Sequence, residues 1–111
     1  MKIGERFHGD VAVIKISGNL MSGPESGELH QAVKNVIEKG YLKVVIDLSE
    51  VKWMNSSGIG ALMASYSSLA AKNGKIRLVG VTEKIESLLV VTRLIKTFDT
   101  FKMVEDALVG F

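Results

Sequence analysis

A nearly unbroken apolar run from Val44 to Leu48 stands near the middle of this 111-residue chain. Only Asp47 interrupts it, and runs of this kind are typical of a central strand that is covered on both faces. A helical pattern follows after a short polar segment, with apolar residues at positions i, i+3, i+4, i+7 and i+10 counted from Ile59. A buried strand that leads into an amphipathic helix indicates an α/β architecture.

The segments on either side of this unit predict further strands and helices joined by short turns. A helix is expected to start at Ser22 and Glu25, which have capping-box spacing, and to stop at Gly40. Asn73-Gly74 is expected to end the next helix. The other predicted elements are a strand over Val11 to Ile16 that ends at Ser17-Gly18, a short strand containing Phe7 before a Gly9-Asp10 turn, a strand over Ile76 to Val79, a helix from Thr82-Glu83, a strand over Phe98 to Phe101 and a helical turn over Glu105 to Leu108.

The predicted order is ββ-α-β-α-β-α-β-α, which indicates a mainly parallel sheet with right-handed crossovers. The length favours a single domain over residues 1–111. We expect a sheet of four to five strands with about four helices. Binding sites of open parallel sheets lie at the carboxyl ends of the strands, which draws attention to Asn55-Ser56-Ser57-Gly58 after the central strand.

Composition and charge narrow the class of function. The 14 Lys and Arg residues against 12 Asp and Glu residues give a net charge of +2, which is not the basic footprint of a nucleic-acid-binding domain. The chain has no Cys, which excludes disulfides, thiolate metal sites and Cys nucleophiles. No apolar run approaches the ~20 residues of a membrane span, and the first residues become charged before a signal-peptide core forms. We therefore expect a cytoplasmic protein.

The sequence lacks the motifs of the common enzyme classes. A hydrolase elbow needs a Gly two residues before its Ser, but Asn55 stands two residues before Ser57, and both histidines lie upstream. Gly58-Ile59-Gly60 lacks the third Gly of a dinucleotide fingerprint. Two isolated histidines do not make a metal site. We predict no enzyme activity, no cofactor and no metal.

Ser57 stands where the helix after the central strand begins, and two interpretations are open. In the first, Ser57 is the N-cap, and its hydroxyl accepts an orphan backbone N–H, which is worth ~1 kcal/mol. In the second, the segment is a binding surface, because Gly58 and Gly60 each cost a helix ~1 kcal/mol relative to Ala and indicate a close approach to the backbone. A phosphate on Ser57 would meet the positive end of the helix dipole, so it would add charge without unfolding the domain.

The segment from Val44 to Gly60 reads VVIDLSEVKWMNSSGIG. It resembles the signature of STAS domains, the anti-sigma factor antagonists of bacteria, whose usual form is a strand, Asp-Leu-Ser, a hydrophobic turn and Asp-Ser-Ser-Gly-Leu-Gly. Weaker similarities extend the resemblance over nearly the whole chain. They lie at Gly18-Asn19-Leu20, Asn73-Gly74-Lys75, Leu94 to Phe98 and Val104 to Leu108.

The resemblance implies partner switching. In the family, the unmodified antagonist binds an anti-sigma factor that is also a serine kinase of the histidine-kinase-like ATPase fold, and this binding frees a sigma factor. The kinase phosphorylates the second Ser of the motif, which corresponds to Ser57, and the complex dissociates until a separate serine phosphatase restores it. The resemblance thus implies a regulator of transcription that is a substrate and a ligand rather than an enzyme. Two departures concern kinase recognition: Asn55 replaces the usual acid before the two serines, and Met21 replaces an acid often found after Gly-x-Leu.

We expect the partner to contact two loops at one end of the sheet. They contain Asn19, Leu20 and Met21 on one side and Asn55, Ser56, Ser57, Gly58 and Ile59 on the other. The neighbouring Trp53 and Met54 are ambiguous, because large apolar residues in a turn more often cover a core than contact a partner but can do either. Two alternatives are a constitutive STAS adaptor subunit of a larger signalling or lipid-transport assembly, which the loss of charge at positions 21 and 55 favours, and a small nucleotide- or anion-binding module at the same helix N-terminus.

Overall fold

The computed structural model of the protein describes residues 2–20 and 23–111. In chain order its elements are β1 (Lys2–His8), β2 (Val11–Leu20), α1 (Gly23–Glu38), β3 (Lys43–Met54), α2 (Ser56–Ala70), β4 (Lys75–Val79), α3 (Glu83–Val91), β5 (Asp99–Phe101) and α4 (Val104–Leu108). The strands form one sheet in the order β1-β2-β3-β4-β5. β1 pairs antiparallel with β2, and the other neighbouring strands are parallel.

The predicted α/β class and order of elements are confirmed, whereas two predicted strands are too short. β2 continues through Ser17-Gly18 to Leu20, and β3 passes Leu48 and ends at Met54. These ends lie opposite each other in the sheet, so their backbone groups bond to each other where the apolar pattern has already stopped. The predicted start of α1 at Ser22 lies outside the described residues.

The sheet has two unequal covered faces. Helices α1, α2 and α3 pack on one face, and α4 packs on the other. Fully buried members of the larger core include Ile14, Ile46 and Leu78 from the strands and Leu29, Leu62 and Leu89 from the helices. The smaller core comprises Val11, Val13, Val45, Val79 and Ala107. Since successive residues of β3 belong to different cores, the central apolar run is buried on both sides, as predicted.

Arg77 of β4 holds the end of the chain against the second face. Its guanidinium Nη1 donates to the carbonyl oxygens of Ala107 at 3.0 Å and Val109 at 2.8 Å, and Nη2 donates to that of Gly110 at 3.2 Å. The guanidinium also lies 4.4 Å from the ring centroid of Phe111. One side chain thus combines planar hydrogen bonding with cation–π contact to fix α4 and the residues after it.

Three helices end in the same hydrogen-bonding motif, in which one residue adopts a left-handed conformation. That residue is Gly40 after α1 (φ 95°), Asn73 after α2 (φ 59°) and Arg93 after α3 (φ 62°). In each case its N–H bonds to the carbonyl three residues back, and the next N–H bonds five residues back. Gly and Asn tolerate this conformation, but Arg does so at a cost.

The substitution Arg93→Gly is therefore expected to stabilise the protein. The left-handed conformation costs a residue with a Cβ about 1–2 kcal/mol, part of which the greater freedom of Gly in the unfolded chain offsets. We expect a gain of about 0.5–1 kcal/mol in the free energy of unfolding, measured by denaturant titration. Arg93→Ala keeps a Cβ and should give no gain, and a loss of stability in Arg93→Gly would contradict this account.

His30 connects α1 to α2. Its Nε2 lies 2.9 Å from the Ser68 hydroxyl oxygen. Burial, and then the charge of Lys34, lower the pKa of His30 below its ordinary value. The folded protein therefore favours the neutral imidazole.

This lowered pKa predicts a pH dependence of stability. Above the unfolded-state pKa of about 6.5, both states hold a neutral His30, and the full stability is present. Below it the unfolded chain binds the proton first, so stability falls as the pH falls through this value. Thermal melts between about pH 7.5 and pH 5 should show a larger loss for the wild type than for His30→Gln. Equal losses in the two proteins would rule out a contribution from His30.

Candidate functional site

β3 extends beyond its neighbour β4. The pairing of β3 with β4 ends at Asp47 opposite Val79, whereas its pairing with β2 continues to Met54 opposite Leu20. The last part of β3 therefore runs beside β2 alone. It brings the polar segment that starts at Asn55 to the carboxyl end of the sheet, where the topology predicted a site.

A bulge marks the point where β3 leaves β4. Lys15 of β2 pairs with Asp47, but Ser17 pairs with Glu50, so β3 contains one extra residue. The carboxylate Oδ1 of the buried Asp47 accepts a hydrogen bond from the Ser49 N–H at 2.9 Å. The Asp-Leu-Ser part of the motif therefore satisfies a backbone donor at the irregular position.

Gly80, directly after β4, lies against this bulge. A Cβ added to Gly80 would lie 2.5 Å from the Cβ of Ser49, and its φ is +69°. Only glycine fits both this contact and this conformation. The close approach fixes the direction in which β3 continues.

Asn55 caps α2, which corrects the interpretation of Ser57 as the N-cap. Asn55 has extended backbone geometry, and its side-chain oxygen accepts from the N–H of Ser57 at 3.0 Å and of Gly58 at 3.4 Å. Its carbonyl accepts the first helical bond, from the Ile59 N–H at 3.1 Å. Asn and Ser are about equally good helix caps, so residue type alone does not show whether Asn55 or Ser57 caps α2. The position at which β3 ends decides between them.

Ser57 is consequently the second residue of α2 and is exposed. Ser56, the first residue, is exposed as well. Because Asn55 supplies the cap, the Ser57 hydroxyl is not required to start the helix. The structure thus presents this hydroxyl to solvent at the positive end of a 15-residue helix.

The remaining residues of this predicted loop divide into buried and open positions. Gly58 is buried, and Ile59 belongs to the larger core at 7% exposure. Gly60 is exposed, and a Cβ added to it would meet nothing within 4 Å. We expected another group to lie close to the backbone at Gly60, but no described part of the chain does so. The space beside the first turn of α2 is therefore open at this residue.

The second predicted loop lies at the same end of the sheet, as expected. Leu20 is the register partner of Met54, the residue before Asn55, so the end of β2 adjoins the start of the Ser57 segment. Asn19 is exposed, and the preceding Gly18 has a φ of 104°. Met21 lies outside the described residues.

Trp53 and Met54 have opposite environments. Met54 covers the core with 8% exposure, but Trp53 is 50% exposed and does not cover it. The physical reason is a second irregularity in the pairing with β2: Gly18 pairs with Val51 and Leu20 with Met54, so β3 has one extra residue here and the alternation of sides is interrupted. The indole instead faces Lys84 of α3, whose Nζ lies 3.5 Å from the ring centroid.

Other site types find little support within residues 2–20 and 23–111. No three His, Cys, Asp or Glu side chains there come together as a metal ion would require. No described helix is long and apolar enough to cross a bilayer. A surface cavity of about 410 Å³ lies beside α4, with Arg6, Asp47 and Lys102 in its lining, and does not include the Ser57 segment.

Comparison with known proteins identifies the family. The family model of the STAS domain matches residues 3–107. The chain belongs to the STAS domain family. This match includes both predicted loops and the whole sheet apart from one residue of β1.

A Thermotoga maritima protein, named as a candidate anti-sigma factor antagonist, is 33% identical over 67 residues, which are 58% of this chain and 59% of that protein. The chain thus spans about three fifths of the length of this curated relative. The crystal structure of an anti-sigma factor antagonist from Mycobacterium paratuberculosis has a TM-score of 0.84 at 28% identity, covering 98% of this chain and 92% of that chain.

The fold is also that of SpoIIAA, which has been solved in two chemical states. The unphosphorylated anti-sigma factor antagonist has a TM-score of 0.75 at 15% identity, covering 95% of this chain and 92% of that one. The phosphorylated Bacillus cell fate determinant has a TM-score of 0.75 at 17% identity, covering 96% of each chain. At these identities the similarity shows a shared fold.

The capping role of Asn55 predicts the effect of its substitutions on stability. Asn55→Ala removes the acceptor for two N–H groups and should lower the free energy of unfolding by about 1 kcal/mol. Asn55→Asp keeps the acceptor and adds a favourable charge at the helix start, so it should be at least as stable as the wild type. Denaturant titration measures both, with Ser56→Ala as the neighbouring control, expected within about 0.5 kcal/mol of the wild type. Wild-type stability in Asn55→Ala would refute the cap.

Proposed function

We propose that the protein is an anti-sigma factor antagonist regulated by phosphorylation at Ser57. Its unmodified form binds an anti-sigma factor that is also a serine kinase of the histidine-kinase-like ATPase fold. Phosphorylation releases that partner, and a serine phosphatase reverses the modification. The chain acts as substrate and ligand in the cytoplasm and is not itself the enzyme. The observation that carries the proposal is the exposed Ser57 hydroxyl on a helix whose cap is supplied by Asn55.

The site is suited to a phosphoserine. A phosphate on the second residue of α2 lies next to backbone N–H groups and the positive end of the helix dipole. The first turn of α2 contains no acidic residue that would repel it. The modification therefore adds about −1.5 to −2 charges to the surface without loss of the fold.

Release of the partner needs only a moderate change in affinity. Weakening a complex about 100-fold corresponds to about 2.7 kcal/mol. A phosphate at the centre of a closely packed contact supplies this through lost shape fit, through desolvation and through repulsion of any nearby acid. The proposed contact surface is formed by the exposed residues Asn19, Ser56 and Ser57 together with Leu20, Met21 and Asn55, whereas the buried Gly58 and Ile59, which were also expected to make contact, lie beneath it.

The comparisons support this proposal in two ways. The relatives that share the fold include proteins named as anti-sigma factor antagonists. The fold of SpoIIAA persists in its phosphorylated form, and this chain is equally similar to both forms, with a TM-score of 0.75 for each. A STAS fold is thus compatible with a phosphate in at least one relative.

The test uses wild type, Ser57→Ala and Ser57→Glu as baits in lysate of the native organism, with partners identified by mass spectrometry. We expect wild type and Ser57→Ala to retain an ATPase-type serine kinase. Ser57→Glu should lose it, with affinity at least about 100-fold weaker in a direct titration of the purified partner. The melting temperature of Ser57→Glu should equal or exceed that of the wild type, because a carboxylate at this position complements the helix dipole.

Ser56 offers a matched control for the site of modification. Incubation with the purified kinase and ATP should add one phosphate to wild type and to Ser56→Ala, and none to Ser57→Ala, by intact-mass measurement. Retention of the same partners by all three Ser57 baits would instead support the constitutive adaptor, which the neutral Asn55 favours. Calorimetric heat on adding nucleotide or phosphate to the wild type would support the small anion-binding module.

A further inference from the structure

The exposed Trp53 is held in a fixed orientation beside the Ser57 segment. Half of its surface is accessible to solvent, and the ammonium of Lys84 covers one face of the indole at 3.5 Å from the centroid. A cation–π contact of this kind is worth about 0.5–1 kcal/mol at an exposed site. The ring therefore loses little freedom on binding a partner, which favours its use as an anchor.

Trp53 lies in a surface hollow of about 490 Å³ whose charges are mainly positive. The hollow is lined by Lys52, Trp53, Thr82, Glu83 and Lys84. Glu83 is the first residue of α3, where the positive end of the helix dipole offsets its charge. Against this one carboxylate, Lys52 and Lys84 bring two ammonium groups to the lining.

The hollow adjoins the surface proposed to bind the anti-sigma factor. Trp53 stands two residues before the cap Asn55, on the part of β3 that extends past β4. The nearby carboxylate of Glu50 is already paired with Lys15 at 3.1 Å, and this contact is the first cause of its lowered pKa. Neutral residues also replace acids of the family pattern at positions 21 and 55. The lining of the hollow has one more ammonium group than carboxylates, and Glu86 of the first turn of α3 lies outside that lining.

We propose that Trp53, Lys52 and Lys84 extend the partner surface, and that the anti-sigma factor presents to them an apolar side chain surrounded by carboxylates. This inference rests on the proposed function and adds the chemistry of the partner. An acidic partner surface is attracted by the two lysines when Ser57 is unmodified. The same surface is repelled by a phosphate on Ser57, so release becomes an electrostatic effect as well as a steric one.

The test measures binding of the purified kinase retained by the wild-type bait, by surface plasmon resonance at about 50 and 300 mM salt. Trp53→Ala should weaken binding at least 30-fold, and Trp53→Phe should recover part of the loss. Lys84→Glu should lower the association rate constant about tenfold at low salt and much less at high salt.

Two variants serve as matched controls. Lys72→Glu makes the same charge reversal after the far end of α2, about 22 Å along the helix from Ser57. Val109→Ala truncates an apolar side chain that is 74% exposed beside the opposite face of the sheet. Both should bind as the wild type does. Trp53 is the single Trp of the chain, so a blue shift of its emission on adding the kinase reports its burial directly.

The outcomes separate this inference from the proposed function. If Ser57→Glu abolishes binding while Trp53→Ala and Lys84→Glu bind within threefold of the wild type, the Trp53 surface is wrong and the switch stands. Tighter binding by Lys84→Glu would show a basic partner and overturn the charge assignment. Wild-type binding by Ser57→Glu would overturn the proposed function itself. A wild-type dimer that Trp53→Ala converts to a monomer in sedimentation would assign the hollow to a second copy of the chain.

Discussion

The hydrogen bond from the Ser49 N–H to the Asp47 carboxylate allows the central strand to change its neighbours within the sheet. Up to Asp47, β3 pairs on both sides, and beyond it β3 pairs with β2 alone. The bulge at this point takes the Ser49 N–H out of the strand pairing. A carboxylate two residues away satisfies it, and the bare backbone of Gly80 leaves room for the bulge. The position of Asn55, and with it the exposure of Ser57, follows from this local arrangement.

The architecture could be predicted from the sequence because the apolar residues of its strands and helices follow clear patterns. The run around Val45 and Ile46 has no alternation, and these two residues lie in the two separate cores. The ends of β2 and β3 were not predictable in this way, because there the strands are maintained by backbone pairing rather than by apolar side chains. Predictions from residue type therefore stopped several positions too early on both strands.

Topology correctly predicted that the end of β2 and the Ser57 segment lie at the same end of the sheet, but two residue roles there were not predicted. Asn55 and Ser57 are both good helix caps, and only the register of the strand end decides which of them meets the free N–H groups. Trp53 is a large apolar residue of the kind found in cores, yet a second register shift between Val51 and Met54 breaks the alternation, and Lys52 and Trp53 are both exposed between these two buried residues. In the sequence, only Asp47 and Gly80 indicate the bulge after Asp47. Their roles are recognisable only once the structure shows that they lie on either side of it. Asn55 nevertheless fits the proposed switch, because a neutral cap does not repel a phosphate two residues away.

The order of the strands in the sheet has a consequence for how the chain acquires its structure. Each strand lies beside the strand that precedes it in sequence, from β1 to β5. Each parallel pair nevertheless spans a helical crossover, and Ala107 of α4 packs with Val11 and Val13 from the other end of the chain. Because the ribosome synthesises the chain from its N-terminus, each new strand emerges after the strand beside which it pairs in the sheet. The strand pair that carries Asn55 and Ser57 has been synthesised once α2 has emerged, but the contact of Gly80 with Ser49 that fixes its direction forms only after β4 has followed.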